Sequence, residues 1–172
     1  MGATVARSVL RDLLRHHLWA TIRVIEFAKG LTTEQLAWTV PGTYGPIDQT
    51  LAHIVGADRY YLLLLTGERP KDGAMKEGDP VDLDQLLARA LAVAERCERY
   101  ASGAVDPDEV RTSQGRSGLR SERVGTILAQ VAHHGNEHRS HIGTILSTHG
   151  VEHPDYSGWA WGDESSGNLA NS

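Results

Sequence analysis

The sequence predicts an all-α protein, a four-helix bundle with a long connector between its second and third helices. Four long segments carry apolar residues at three- and four-residue steps, which is the period of an amphipathic helix. No segment shows a convincing strand alternation, and glycine, proline and capping residues mark the segment ends. Because each helix has one apolar face, we expect the four faces to meet in one core.

The first helix is predicted between about residues 4 and 29. Gly30 follows the last apolar residue of the pattern and is expected to end the helix. The apolar face consists of Val5, Val9, Leu13, Leu14, Leu18, Ile22 and Ile25.

The second and third helices are predicted from their boundary residues. Pro46 suits the first position of a helix, where its missing N–H is harmless, and Gly67 is expected to close that helix. The turn-rich stretch KDGAMKEGDP then belongs to the long connector. Asp82 with Gln85 resembles a capping box, so we expect a third helix from there to about Ser102.

The fourth helix is predicted to be the longest. Residues 103–120 are interpreted as a loop, after which Ser121 can cap a helix that Gly150 ends. At about 1.5 Å per residue it approaches roughly 45 Å. We assign residues 1–162 to the bundle and expect residues 163–172 to form a flexible tail, leaving the role of Trp159 and Trp161 open.

Composition excludes several classes of function. The formal net charge is −5 and basic residues form no cluster, so we expect no nucleic-acid partner. The longest apolar stretch, residues 60–65, is too short to span a bilayer, so we expect no membrane role. The single Cys97 cannot form an intramolecular disulfide, which favours a cytoplasmic protein.

Histidines on the predicted core seam of the fourth helix indicate a metal site. His134, His138 and His141 occupy positions that are otherwise apolar. An unpartnered buried polar group costs roughly 2–7 kcal/mol, so three imidazoles there need a common partner. His134 and His138 are four residues apart, within about 6 Å, and can reach one ion at about 2.0–2.1 Å. Histidines satisfied within the core remain the alternative.

His141 and His53 have different roles in the predicted metal site. His141 lies seven residues from His134, about 10 Å along the axis, so we interpret it as a neighbour of the ligands or as pocket wall. His53 is the best candidate for a third ligand, because it is mid-helix and Gly56 follows nearby, although alone it is more simply a core residue. Three protein ligands would leave a coordination position for water or substrate.

The remaining reactive side chains receive less prominent roles. Arg139, next to a ligand, is a candidate for fixing the carboxylate of a cosubstrate or for lining the pocket, although an exposed surface arginine is the simpler interpretation. Cys97 is interpreted as a small hydrophobic residue and not as a nucleophile. His133 is expected to point off the seam, and four further histidines are expected in solvent: His16, His17, His149 and His153.

Two strings together resemble the DinB-like superfamily of metal-binding four-helix bundles. They are LAHIV at residues 51–55 and HGNEHRSHI at residues 134–142, and the C-terminal PDYSGWAWG is also similar to that family's end. The resemblance implies a divalent ion, zinc first and nickel next, held by His53, His134 and His138. The family often has HRGQI where this chain has HRSHI, so Ser140 and His141 change the pocket wall.

The resemblance also implies a class of reactions. The family includes thiol-dependent transferases and maleylpyruvate isomerases that use mycothiol, bacillithiol or glutathione. It therefore implies a metalloenzyme that combines a small electrophilic substrate with a low-molecular-weight thiol cosubstrate, and a homodimer. A metal-dependent hydrolase and a non-enzymatic, metal-organised small-molecule-binding or stress-related protein are the alternatives.

Overall fold

The computed structural model describes residues 2–69, 73, 75–76, 78–115 and 118–166, and it confirms the all-α bundle. Four long helices make up the bundle: α1 (Gly2–Ala28), α3 (Ile47–Thr66), α4 (Leu83–Ser102) and α5 (Val124–Thr148). Two short helices, α2 (Thr33–Leu36) and α6 (Gly158–Ser166), lie outside it. The long connector between α3 and α4 corresponds to the one predicted between the second and third helices.

The four long helices pack in a ring that encloses the core. Helix α1 packs against α4 and α5, and α3 packs against the same two helices. The ring therefore places α3 beside α5, the two helices that carry the predicted metal ligands. The largest group of buried side chains joins all four helices, and its fully buried members include Ile25, Leu51, Ile54, Leu86 and Ile145.

The helix ends follow the boundary residues closely. Pro46 is the N-cap of α3, and Gly67 ends that helix in a left-handed conformation with φ of 73°, which glycine adopts without strain. At α4 the Asp82 carboxylate accepts from the backbone N–H groups of Asp84 and Gln85. The Gln85 side-chain amide donates to that carboxylate, and its oxygen does not accept from the Asp82 backbone N–H, so half of the predicted capping box forms.

A β-hairpin occupies the segment that was predicted to be a loop. Strand β1 (Val110–Gly115) pairs antiparallel with β2 (Gly118–Arg123), and α5 begins only at Val124. The predicted N-cap role of Ser121 is wrong, because Ser121 lies within β2 and its hydroxyl is 2.8 Å from that of Thr112 across the hairpin. Most side chains of β2 are exposed, so no apolar alternation marks the strand in the sequence.

The C-terminal helix α6 packs against α1. Glu164 accepts a hydrogen bond of 2.9 Å from Trp19 Nε1 and forms an ion pair with Arg23. Residues 163–166 of the predicted flexible tail thus belong to a helix, and residues 167–172 lie outside the described part of the chain. Trp161 packs against His16, with ring centroids 5.9 Å apart, whereas Trp159 is 87% exposed.

None of the described helices is long and apolar enough to cross a membrane.

Candidate metal centre

Three histidines from two helices converge at one point of the bundle. His134 and His138 lie one turn apart on α5 and are buried, and His53 reaches them from α3. One nitrogen from each ring lies within 4.8 Å of the others, and the Nε2 atoms of His53 and His134 are 3.0 Å apart. Two nitrogens that bind one tetrahedral ion at about 2.0–2.1 Å are about 3.3 Å apart, so this arrangement could hold a metal.

The electrostatic environment keeps His134 and His138 in the neutral form that binds metal. Burial, reinforced by the neighbouring imidazoles, lowers the pKa of His138 to about 4. Burial and then the charge of His53 also lower the pKa of His134. Both rings are therefore neutral near pH 7, and a neutral imidazole is a common ligand of Zn²⁺, Ni²⁺ and related ions.

Aromatic side chains surround the three histidines. The Tyr44 ring stacks on His53 with centroids 4.2 Å apart, and its hydroxyl lies 3.0 Å from His53 Nδ1. If Nε2 of His53 coordinates an ion, its proton lies on Nδ1, which can then donate to the Tyr44 oxygen. Tyr61 packs edge-on against His134, with centroids 5.7 Å apart.

His141 lies next to the cluster but outside it. Its ring is 5.4 Å from that of His138, and it is half-buried. Its Nδ1 atom is buried without a hydrogen-bond partner among the described groups. The structure thus places His141 beside the three histidines, and its role remains a prediction.

The interpretation of Arg139 as an exposed surface arginine is wrong. It is 1% exposed, and its Nη1 donates to the His17 carbonyl at 3.3 Å and to Thr21 Oγ1 at 3.0 Å on α1. Tyr156 donates to the Arg139 carbonyl at 2.8 Å. Burial lowers the pKa of Arg139 to about 10, so the guanidinium stays charged at neutral pH. Its contacts tie α5 to α1.

His17, predicted to lie in solvent, is 2% exposed and completes a buried polar network. Its Nε2 lies 3.0 Å from the Asp58 carboxylate on α3, and its Nδ1 lies 3.3 Å from Arg139 Nη1. Arg139 can only donate, so Nδ1 accepts and the proton on Nε2 is donated to Asp58. The ring fits because residue 135 is glycine: a Cβ there would lie 2.6 Å from His17 Nδ1.

The four remaining histidines differ in their exposure to solvent. His133 is exposed and points off the seam, as predicted. His149 is exposed as a residue and stacks on Trp38, while two others are half-buried: His16 and His153. None of these four belongs to the three-histidine group found among the described residues.

A cavity of about 1130 Å³ opens beside the candidate metal centre. His53 and His134 lie on its wall, together with residues of α3, α5 and the hairpin. Tyrosines and aliphatic residues make up much of the remaining lining, including Tyr44, Tyr60, Tyr61, Leu63 and Leu64. A site of this size and composition is typical of small-molecule binding.

Tyr44 and the hairpin contribute to the site, although no motif in the sequence predicted either of them. Tyr44 lies in the irregular segment before α3, where no periodicity predicts the direction of a side chain. The signal available was its position nine residues before His53 in a glycine- and proline-rich turn. Arg111 and Arg120 reach the cavity from the hairpin, an element with no apolar pattern to reveal it.

The fold and the site define a helical-bundle protein with a three-histidine cluster that could hold a divalent ion. Residues 17–142 match the family model of the DinB superfamily, and this span includes all three histidines. The chain belongs to the DinB superfamily. No curated protein matches it significantly.

Proposed function

We propose that the protein binds one divalent metal ion through His53, His134 and His138 and uses it in a reaction of a small molecule. The observation that carries this proposal is the convergence of three imidazoles within 4.8 Å, from two helices, on the wall of a cavity. Imidazole is a common ligand of both zinc and nickel, and zinc is our first choice.

The proposed reaction is a thiol-dependent transfer or isomerisation of an electrophilic substrate. When bound, a divalent ion ionises a coordinated thiol and so supplies a thiolate at neutral pH. The chain's own thiol does not fit this role, because burial raises the pKa of Cys97 to about 12 and the residue lies on α4. The thiol is therefore a soluble cosubstrate.

The protein's residues would position and enclose the reactants. Tyr44 holds His53 by its Nδ1 atom and directs Nε2 towards the other two histidines. Tyr61 covers one side of His134. Tyrosine and leucine side chains of the cavity would give the substrate an apolar surface beside the histidines.

The test is a thiol-consumption assay with zinc- or nickel-loaded protein, glutathione and 1-chloro-2,4-dinitrobenzene. We expect turnover that stops on chelation and returns when the metal is restored. His134→Ala should be inactive, whereas His133→Ala, which removes an exposed histidine from the same helix, should keep its activity. Metal binding without turnover of any thiol would contradict the transferase proposal and favour a metal-organised binding protein.

A further inference from the structure

The charged residues that line the cavity are mostly cationic. Among the described residues the lining contains five cations and one carboxylate, that of Glu122; the cations are Arg59, Arg69, Lys76, Arg111 and Arg120. The chain as a whole has a formal net charge of −5, so this excess is opposite to its average composition. A cavity with an excess of one charge concentrates ligands of the opposite charge.

The hairpin provides two of these arginines. Arg111 on β1 forms an ion pair with Glu109 through Nη2 at 3.0 Å, and its Nε atom is buried without a hydrogen-bond partner among the described groups. Arg120 on β2 uses Nε to pair with Glu122 at 2.6 Å. A guanidinium has five N–H donors, so each arginine retains donors for a further anion.

The arginines face the cavity at a distance from the histidines. Strand β1 packs against α3, and β2 packs against α5. Tyr60, which lines the cavity together with Arg120, follows His53 by seven residues on α3, about 10 Å along the helix axis. Arg120 interacts electrostatically with Tyr60, so it lies near a position of α3 that is about two helical turns from His53.

We propose that the cavity binds a small molecule whose anionic group, a carboxylate or a phosphate, is held by Arg111 and Arg120 while its other end lies against the histidines. This inference rests on the proposed function, because it names the class of substrate that the proposed metal site would bind. The hairpin is then a specificity element: it selects an anionic substrate or thiol cosubstrate about 10 Å long.

The test compares three six-carbon ligands in the metal-free protein by NMR titration: hexanoate, hexyl phosphate and hexanol. We expect the better of the two anions to bind at least about tenfold more tightly than the alcohol, and the stronger anion identifies the group. Arg111→Gln and Arg120→Gln should each weaken anion binding about five- to tenfold and leave hexanol binding unchanged.

Arg99→Gln is the matched control, because it removes the same charge from an exposed arginine of α4 that does not line the cavity. The Arg120 side chain is 73% exposed, so we expect Arg120→Gln to fold. This variant keeps the test decisive if Arg111→Gln fails to fold. Equal binding of anions and alcohol, or an equal loss in Arg99→Gln, would overturn the inference.

Zinc stoichiometry measured on the same preparations separates the two proposals. Anion preference without zinc binding contradicts only the proposed function. Zinc binding without anion preference contradicts only this inference.

Discussion

The Nε2 atoms of His53 and His134 lie 3.0 Å apart, although 81 positions separate the two residues in the sequence. The packing of α3 against α5 brings them together. Fully buried aliphatic side chains of both helices, such as Leu51, Ile54 and Ile145, stabilise that packing. Apolar packing between α3 and α5 thus positions the histidines of the candidate metal centre.

His134→Ala is expected to remove most metal affinity and to leave the helical content largely intact. The reason is that apolar burial provides most of the folding free energy, while the ion needs all three imidazoles. Metal stoichiometry after dialysis, with far-UV circular dichroism, tests this. His133→Ala is the control and should bind one equivalent. A full equivalent of metal in His134→Ala would refute the ligand assignment.

Tyr44→Phe is expected to weaken metal affinity by roughly 10- to 100-fold, the usual effect of losing a hydrogen bond to a ligating histidine. The change removes the hydroxyl 3.0 Å from His53 Nδ1 and keeps the ring that stacks on His53. Competition with a chromophoric chelator measures the affinity. Tyr60→Phe is the control: it removes a hydroxyl that lines the same cavity but does not contact His53, and it should leave metal affinity unchanged. Equal metal affinities in the two variants would exclude a role for the Tyr44 hydroxyl.

The stability of the metal-free protein is expected to fall as the pH decreases from about 6.5 to about 4. The pKa of His138 is lowered from 6.5 to about 4 by burial. Within that window the unfolded chain holds more protons than the folded one, so the free energy of unfolding decreases with decreasing pH. Urea unfolding at several pH values measures this, and His138→Gln should show a smaller decrease than the wild type.

In the metal-loaded protein, acid should release the ion before the helices unfold. Protons compete with the metal for neutral imidazoles, and coordination holds the histidines in that form until somewhat below pH 6.5. A chelator signal recorded together with circular dichroism separates the two events. Loss of helix without metal release would be inconsistent with coordination by these residues.

Gly135→Ala is expected to lower the free energy of unfolding. Overpacking by the new methyl group costs about 1–3 kcal/mol, and the higher helix propensity of alanine offsets roughly 1 kcal/mol of that cost. Its Cβ would lie 2.6 Å from His17 Nδ1 and 2.8 Å from Arg139 Nη1, and hydrogen bonds to Asp58 and Thr21 hold both side chains in place. Thermal unfolding measures the change. Gly162→Ala, in α6 with open space around the new Cβ, should be neutral or stabilising; similar behaviour of the two variants would disprove the close packing.

The helices and the His134–His138 pair could be predicted because both depend on local periodicity, whereas His53 joins the pair only through the packing of α3 against α5. The four-residue step between His134 and His138 fixes their shared face whatever the tertiary structure is. The ends of α3 and α4 follow from Pro46, Gly67 and Asp82, whose effects are also local.

The hairpin and the buried polar network could not be predicted in the same way. Strands β1 and β2 expose most of their side chains, so they lack the apolar alternation that marks a strand. His17 and Arg139 are polar residues whose burial is stabilised by partners on other helices, such as Asp58. Such pairing depends on tertiary structure, and residue type alone predicts exposure for both.

The most direct test of the central claim is a crystal structure of the zinc-loaded protein with diffraction data collected on both sides of the zinc absorption edge. We predict one anomalous peak per chain, about 2.0–2.1 Å from a nitrogen of each of His53, His134 and His138. A zinc-loaded crystal with no peak among these three histidines, or with its peak elsewhere on the chain, would contradict the account.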